Sequence, residues 1–218
     1  EAHLHPVNQR LIYKDVIKNS SNSVLLTTHS TQITAIAPIE SIVHLHDDGK
    51  GGTEINATAG MPMSDGEFLD VERYLDVKRG EIYLGKAVLL VEGIAEEYLV
   101  PKFAELLGKP LDEKGIIICN INCTNFTPYV KLLKNLSIPY AIITDGDYYY
   151  ENEDEERIYH HMNDGSSNGV EGWLGMEIIE QMVEELKLNG DAEMPDKVSE
   201  KDELFRSLGL FVGYYTFE

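Results

Sequence analysis

The chain has 218 residues, enough for one full domain and part of another. Its apolar fraction of 43% is ordinary for a globular protein with a real core, and no apolar run approaches the length of a bilayer span. A formal net charge of −20 weighs against a nucleic-acid partner, because phosphate backbones call for Lys and Arg. Part of the acidic excess is one stretch, Glu151–Glu156 (ENEDEE), which reads as a surface insertion. Cys119 and Cys123 are too few for a zinc quartet or a disulfide framework and read as free thiols of a cytoplasmic protein. The chain starts at Glu1, with no basic n-region ahead of an apolar stretch; the reading expects an excised segment without a signal peptide.

In chain order, Val7, Leu11, Ile12 and Val16 recur at helical spacing and predict a helix over His5–Asn19. Val24–Thr28 reads as a short buried strand, and Thr31–Ala37 as the start of a helix or turn closed by Pro38. Ser41–His46 and Thr53–Asn56 flank the turn-forming DDGKGG, which predicts a hairpin. Residues 57–66 read as a connector and Phe68–Tyr83 as a linking helix. From Lys86 onward strands and helices alternate: strand Ala87–Val91, helix Ala95–Leu107, strand Ile116–Asn120, helix Phe126–Leu136, strand Tyr140–Thr144. Residues 148–170 are polar without a period and read as a loop or excursion. Trp173–Leu186 reads as a helix, 187–201 as polar again, and Leu210–Phe217 as a last strand. Such alternation predicts an α/β fold, a mostly parallel sheet covered by helices on both faces. No internal repeat is visible.

Two segments carry the chemistry. AVLLVEGIAEE (87–97) and AIITDGD (141–147) are apolar runs that stop at carboxylates. Glu92-Gly93 forms the first exit, and Glu96 falls in the first turn of the next helix. Asp145-Gly146-Asp147 forms the second exit, where strand alternation puts both aspartates on one side. Acids at the carboxyl ends of neighbouring parallel strands share one crevice, the usual ligand site of an open α/β sheet. They repel unless a cation neutralises them, and hard oxygen ligands suit Mg²⁺ or Mn²⁺. The pattern points to phosphoryl chemistry. The bland alternatives are a loop acid favouring a helix dipole for Glu92, a solvated helix acid for Glu96 and an ordinary Asp-Gly turn for the second motif.

A strand ending in Glu-Gly, a helix, and a strand ending in Asp-x-Asp together resemble the Toprim domain. Upstream, Glu1-Ala2-His3-Leu4-His5-Pro6 resembles the stretch after the Walker B strand of an ABC-type ATPase, leading into its D-loop. Val24–Ser30 (VLLTTHS) resembles the strand that carries the switch histidine, here His29. An ABC ATPase tail running into a Toprim domain is the arrangement of OLD-family nucleases of class 2. The resemblance divides the chain into 1–57, the C-terminal part of an ABC ATPase core, 58–85, a linker with a helix, and 86–218, a Rossmann-like Toprim domain with its excursion at 148–170.

The resemblance implies a metal-dependent endonuclease or nickase that cuts DNA phosphodiester bonds with two Mg²⁺ or Mn²⁺ ions, regulated by ATP at the ATPase lobe, in phage defence or DNA repair. It implies Glu92 as metal ligand or general base, Glu96 as a further ligand four residues on, Asp145 as the closer and Asp147 as the supporting ligand. Thr216 and Glu218 match a third motif of the form Thr-x-Glu. His29 matches the residue that contacts the γ-phosphate of ATP, although the rest of the ATPase machinery is absent from this sequence. The implied partners are DNA, further copies of the chain in a dimer or tetramer, and a UvrD-like helicase; no membrane is implied. His3 and His5 fall in the D-loop region and read as subunit contacts, His160 and His161 as solvated, and Tyr148–Tyr150 as cover for a sheet edge. The alternatives are an RNA- or tRNA-cleaving Toprim toxin and a non-catalytic Toprim assembly module, which the acidic charge favours.

Overall fold

The computed structural model describes residues 4–47, 49–75, 79–152, 154–159 and 169–213. They divide into two compact units, residues 1–87 with 128–139 and residues 88–127 with 140–218.

The first unit opens with helix α1 (Pro6–Asn19). Pro6 suits the first helical position, where its missing N–H is no loss, and His5 Nδ1 accepts from Val7 N at 3.3 Å. The predicted strand at 24–28 is not formed, and Leu25 is 92% exposed. No described strand of this unit runs beside it to form a ladder. Helix α2 (Thr31–Thr34) is one turn. The predicted hairpin is present as β1 (Val43–Asp47) and β2 (Thr53–Ala57), antiparallel with Leu45 opposite Ile55.

Thr58, fully buried, ties the hairpin to the preceding 3-10 turn (Ile39–Ser41), its hydroxyl donating to the Ile39 carbonyl and accepting from Ile42 N. The linking segment is two pieces rather than one helix: α3 (Asp65–Tyr74) and a 3-10 turn over Arg79–Tyr83. A capping box fixes the start of α3, Ser64 Oγ accepting from Glu67 N and Glu67 Oε2 accepting from Ser64 N. The segment 128–139 joins this unit through Lys131 Nζ on Glu67 Oε1 (2.6 Å) and Asn135 Nδ2 on the Ala57 carbonyl (2.6 Å).

The second unit holds the parallel sheet. Its elements are β3 (Ala87–Val91), α4 (Ile94–Leu106), α5 (Leu111–Lys114), β4 (Ile116–Asn120), β5 (Tyr140–Thr144), β6 (Tyr148–Glu151), β7 (Arg157–Tyr159), β8 (Glu171–Trp173), α7 (Leu174–Glu185), α8 (Val198–Ser207) and β9 (Leu210–Val212). Helix α6 (Thr127–Asn135) spans the change from one unit to the other. The sheet order is β4-β3-β5-β9, with β5 parallel to β3 and to β9. This is the predicted α/β class. Leu90, Val91, Ile142 and Leu210 are buried and form its core.

Two stretches depart from the sequence expectation. Residues 148–151 and 157–159 are not loop but strands of an antiparallel sheet of order β7-β6-β8, and Trp173, expected to start a helix, ends its third strand. Tyr148-Tyr149-Tyr150 has strong strand propensity, and Asn152 Oδ1 closes the turn by accepting from Asp154 N and Glu156 N. The acidic composition of the turn hides that propensity. Helix α8 was hidden in the same way. Its polar face carries the ion pair Lys201–Glu180 (2.6 Å), its inner face buries Phe205, and Gly209 at φ 78 ends it. No helix among the described residues is long and apolar enough to cross a membrane.

Candidate active site

The pairing of β3 with β5 builds the site. Val91 is in register with Ile143, so the residues that leave the two strands, Glu92 and Thr144-Asp145, emerge side by side. Thr144 Oγ1 donates to Glu92 Oε2 at 2.6 Å, and Asp145 N donates to the same oxygen at 3.3 Å. Asp145 Oδ1 is itself buried. The structure therefore brings together the first acids of the two motifs.

Glu96 goes elsewhere. It is 3% exposed, and its Oε2 accepts from Gly93 N at 2.9 Å. That is one half of a capping box, the glycine having no side chain for the other half. Gly93 is extended (φ −138), open to any residue, but a Cβ there would lie 3.1 Å from Glu96 Oε2. Its neighbour Glu97 accepts from Asn120 Nδ2 at the end of β4, at 3.1 Å. Asp147 also departs from expectation. Alternation holds only along extended backbone, and Asp147 is left-handed at φ 46, so it does not share a face with Asp145 by strand geometry. β9 ends at Val212, opposite Thr144. Thr216 and Glu218 lie outside the described residues. His29 is exposed in the first unit, just ahead of α2.

Two further residues shape the turn, and sequence reasoning missed both. Helix α7 abuts it, Gly175 N donating to the Gly146 carbonyl (3.0 Å) and Leu174 N to the Asp147 carbonyl (3.3 Å). A Cβ at Gly175 would lie 1.8 Å from the Asp145 carbonyl oxygen. The signal was a glycine in the first turn of an otherwise strong helical pattern. Thr144 is the other, overlooked because a threonine in an apolar run reads as a strand former.

Beyond the turn, Tyr149 is 4% exposed and donates to Glu177, which Arg157 Nη1 also contacts at 3.1 Å. Burial, reinforced by the Glu177 carboxylate, pushes the Tyr149 phenol up to about 12. The tyrosine run does not cover a sheet edge: it is itself β6, the middle strand of the antiparallel sheet.

The donors at the strand ends are hard oxygens, the chemistry that suits Mg²⁺ or Mn²⁺. Among the described residues no group of three or more His, Cys, Asp and Glu side chains is arranged to hold a metal ion. Glu92 and Asp145 are carboxylate donors of the kind that fits a divalent cation.

Residues 84–147, which contain both acid motifs, match the family model of the Overcoming lysogenization defect protein-like TOPRIM domain. The chain carries an OLD-like Toprim domain. Among curated proteins it is similar to Endonuclease GajA of Bacillus cereus (strain HuB5-5), 26% identical over 185 residues, covering 72% of this chain and 26% of that protein. It is also similar to the uncharacterized protein YbjD of Escherichia coli (strain K12), 21% identical over 148 residues, covering 67% of this chain and 26% of that protein. Among solved structures, the C-terminal region of the Xanthomonas campestris pv. campestris OLD protein is 33% identical, with 62% of this chain and 53% of that chain covered and a TM-score of 0.45. The C-terminal region of the Burkholderia pseudomallei OLD protein is 29% identical, with 61% and 55% covered and a TM-score of 0.43. The match spans about a quarter of the length of the curated relatives, 26% in each case. Within the OLD-like Toprim domain, Glu92 follows the first strand of the parallel sheet and Asp145 follows its neighbour.

Proposed function

We propose that this chain is the nuclease part of a larger protein and cleaves DNA phosphodiester bonds with the help of divalent cations. The observation that carries the reading is the Glu92 carboxylate set against Thr144 and Asp145 at adjacent parallel strand ends, inside an OLD-like Toprim domain. Similarity to Endonuclease GajA supports a nuclease-type activity. Glu92 and Asp145 would hold the cation. Asp147, Thr216 and Glu218 would complete the proposed donor set for two ions, and Glu96 would have to leave its cap on Gly93 N to join them. A bound Mg²⁺ or Mn²⁺ would polarise the scissile phosphate and lower the pKa of a bound water.

The protein's own contribution is placement. Pairing of β3 with β5 fixes the spacing of the two strand exits. Contact with α7 holds the Asp145–Asp147 backbone in its turn, so its carboxylates need little reorganisation as charge develops. We further read residues 1–57 as the tail of an ATPase core, with His29 facing the γ-phosphate of ATP in the assembled protein. ATP would then regulate the cut, copies of the chain would associate through this lobe, and a UvrD-like helicase would be a partner. The biological setting we propose is phage defence or DNA repair.

The net charge of −20 favours a second reading, a non-catalytic assembly module. Plasmid DNA and tRNA incubated side by side with Mg²⁺ or Mn²⁺ separate the readings. Cleavage of DNA is expected. Cleavage of tRNA alone would replace the DNA assignment with an RNA-cleaving one, and inertness toward both would favour the assembly module.

A further inference from the structure

We propose that Thr144 is a positioning residue for Glu92, its hydroxyl selecting which carboxylate oxygen faces the reacting groups; this rests on the nuclease reading above. Thr144 is the last residue of β5 and is 1% exposed. Its register places it level with Glu92 on β3's exit. The 2.6 Å contact to Glu92 Oε2 is a charge-assisted O–H···O⁻ bond, the stronger kind. The Asp145 N–H on the same oxygen is longer, at 3.3 Å.

Among the described residues Oε2 is the engaged oxygen and Oε1 takes no hydrogen bond. A glutamate side chain has several rotatable bonds, and holding one oxygen removes most of its rotamers before any ligand arrives. The hydroxyl thereby leaves Oε1 as the oxygen for a cation or water. Strand pairing does not need that hydroxyl. The backbone of Thr144 is held independently, its carbonyl accepting from Gly213 N at 2.9 Å.

Valine keeps the β-branched shape of threonine and removes the donor, while serine keeps the donor and removes a methyl group. Hydrogen-bond partners of metal ligands typically contribute 10- to 100-fold in affinity or activity.

The test uses the full chain as wild type, Thr144→Val, Thr144→Ser and Glu92→Gln. Mn²⁺ affinity is read from the paramagnetic resonance of unbound Mn²⁺, with plasmid-nicking kcat and KM and urea midpoints beside it. The Thr144→Val protein should bind Mn²⁺ roughly 10- to 100-fold more weakly and lose kcat rather than KM. The Thr144→Ser protein should stay within about threefold of wild type. Thr144→Ala replaces the valine variant if that does not fold, with the same result expected. Wild-type Mn²⁺ affinity in Thr144→Val, beside loss in Glu92→Gln, would overturn the positioning role and leave the nuclease site standing. Equal losses in the valine and serine variants would overturn it too, because packing and not the hydroxyl would then be at work. Unchanged Mn²⁺ binding in Glu92→Gln, or none in the wild type, would bring down the metal-site reading and the positioning role together.

Discussion

The end of β5 and the stretch at 24–28 look alike in sequence and differ in the folded chain. Each is an apolar run that stops at a candidate functional residue, Asp145 in one and His29 in the other. In β5, Ile142 is fully buried and the strand pairs on both sides, with β3 and with β9. At 24–28 no strand forms, and Leu25 is 92% exposed. A motif at a strand end is positioned only when the strand has neighbours that satisfy its backbone and bury its side chains. The acid site is built in this way. The proposed ATP-facing histidine is not held by any described strand.

Truncating the buried sheet should show the contrast at its largest. Leu90 is fully buried in β3, and Leu90→Ala should cost about 2–5 kcal/mol in urea denaturation. A smaller cost would mean that the sheet end is looser than its burial indicates. Gly175→Ala comes next. Its Cβ would meet the Asp145 carbonyl at 1.8 Å, so the turn or α7 must shift, at about 1–3 kcal/mol or more. Plasmid nicking should fall with it, and full activity in a stable alanine variant would show that α7 does not set the turn.

Tyr149→Phe removes the hydroxyl that donates to Glu177 and should cost about 1–2 kcal/mol near neutral pH. The phenol is raised to about 12 in the folded protein, so the unfolded chain loses its proton first. The contribution is therefore full below the ordinary tyrosine pKa of about 10 and is lost as pH rises toward 12. The stability gap between wild type and Tyr149→Phe should close over that interval; a gap that stays constant would remove the phenol from the balance. Leu25→Ala should do least, within about 0.5 kcal/mol, because the side chain is already in solvent. A loss comparable to that of Leu90→Ala would mean that 24–28 is buried in solution and erase the contrast.

The parts of the fold that were legible in the sequence are those where pattern and environment agree. Ala87–Val91 and Tyr140–Thr144 read as strands because both faces are covered, and the hairpin read from its DDGKGG turn. Residues 148–159 and α8 were illegible for one shared reason. Their apolar contacts, Tyr149 and Phe205, are few and set among charges that reach solvent or pair with one another. At the site, the first acid of each motif was visible as a carboxylate closing an apolar run. What the run cannot show is side-chain direction. Glu96 turns into its own helix cap, and Asp147 sits at a left-handed φ that ends the alternation. Thr144 and Gly175 were hidden because their roles depend on neighbours that only the sheet pairing and the α7 contact bring near.

The most direct measurement is nicking of supercoiled plasmid by the purified chain with and without Mg²⁺ or Mn²⁺, beside Glu92→Ala and Asp145→Ala. Metal-dependent nicking by the wild type, reduced at least about 100-fold in both variants, is the predicted result. Equal nicking by wild type and variants, or none by a folded wild-type chain, would contradict a metal-dependent nuclease centre at Glu92 and Asp145.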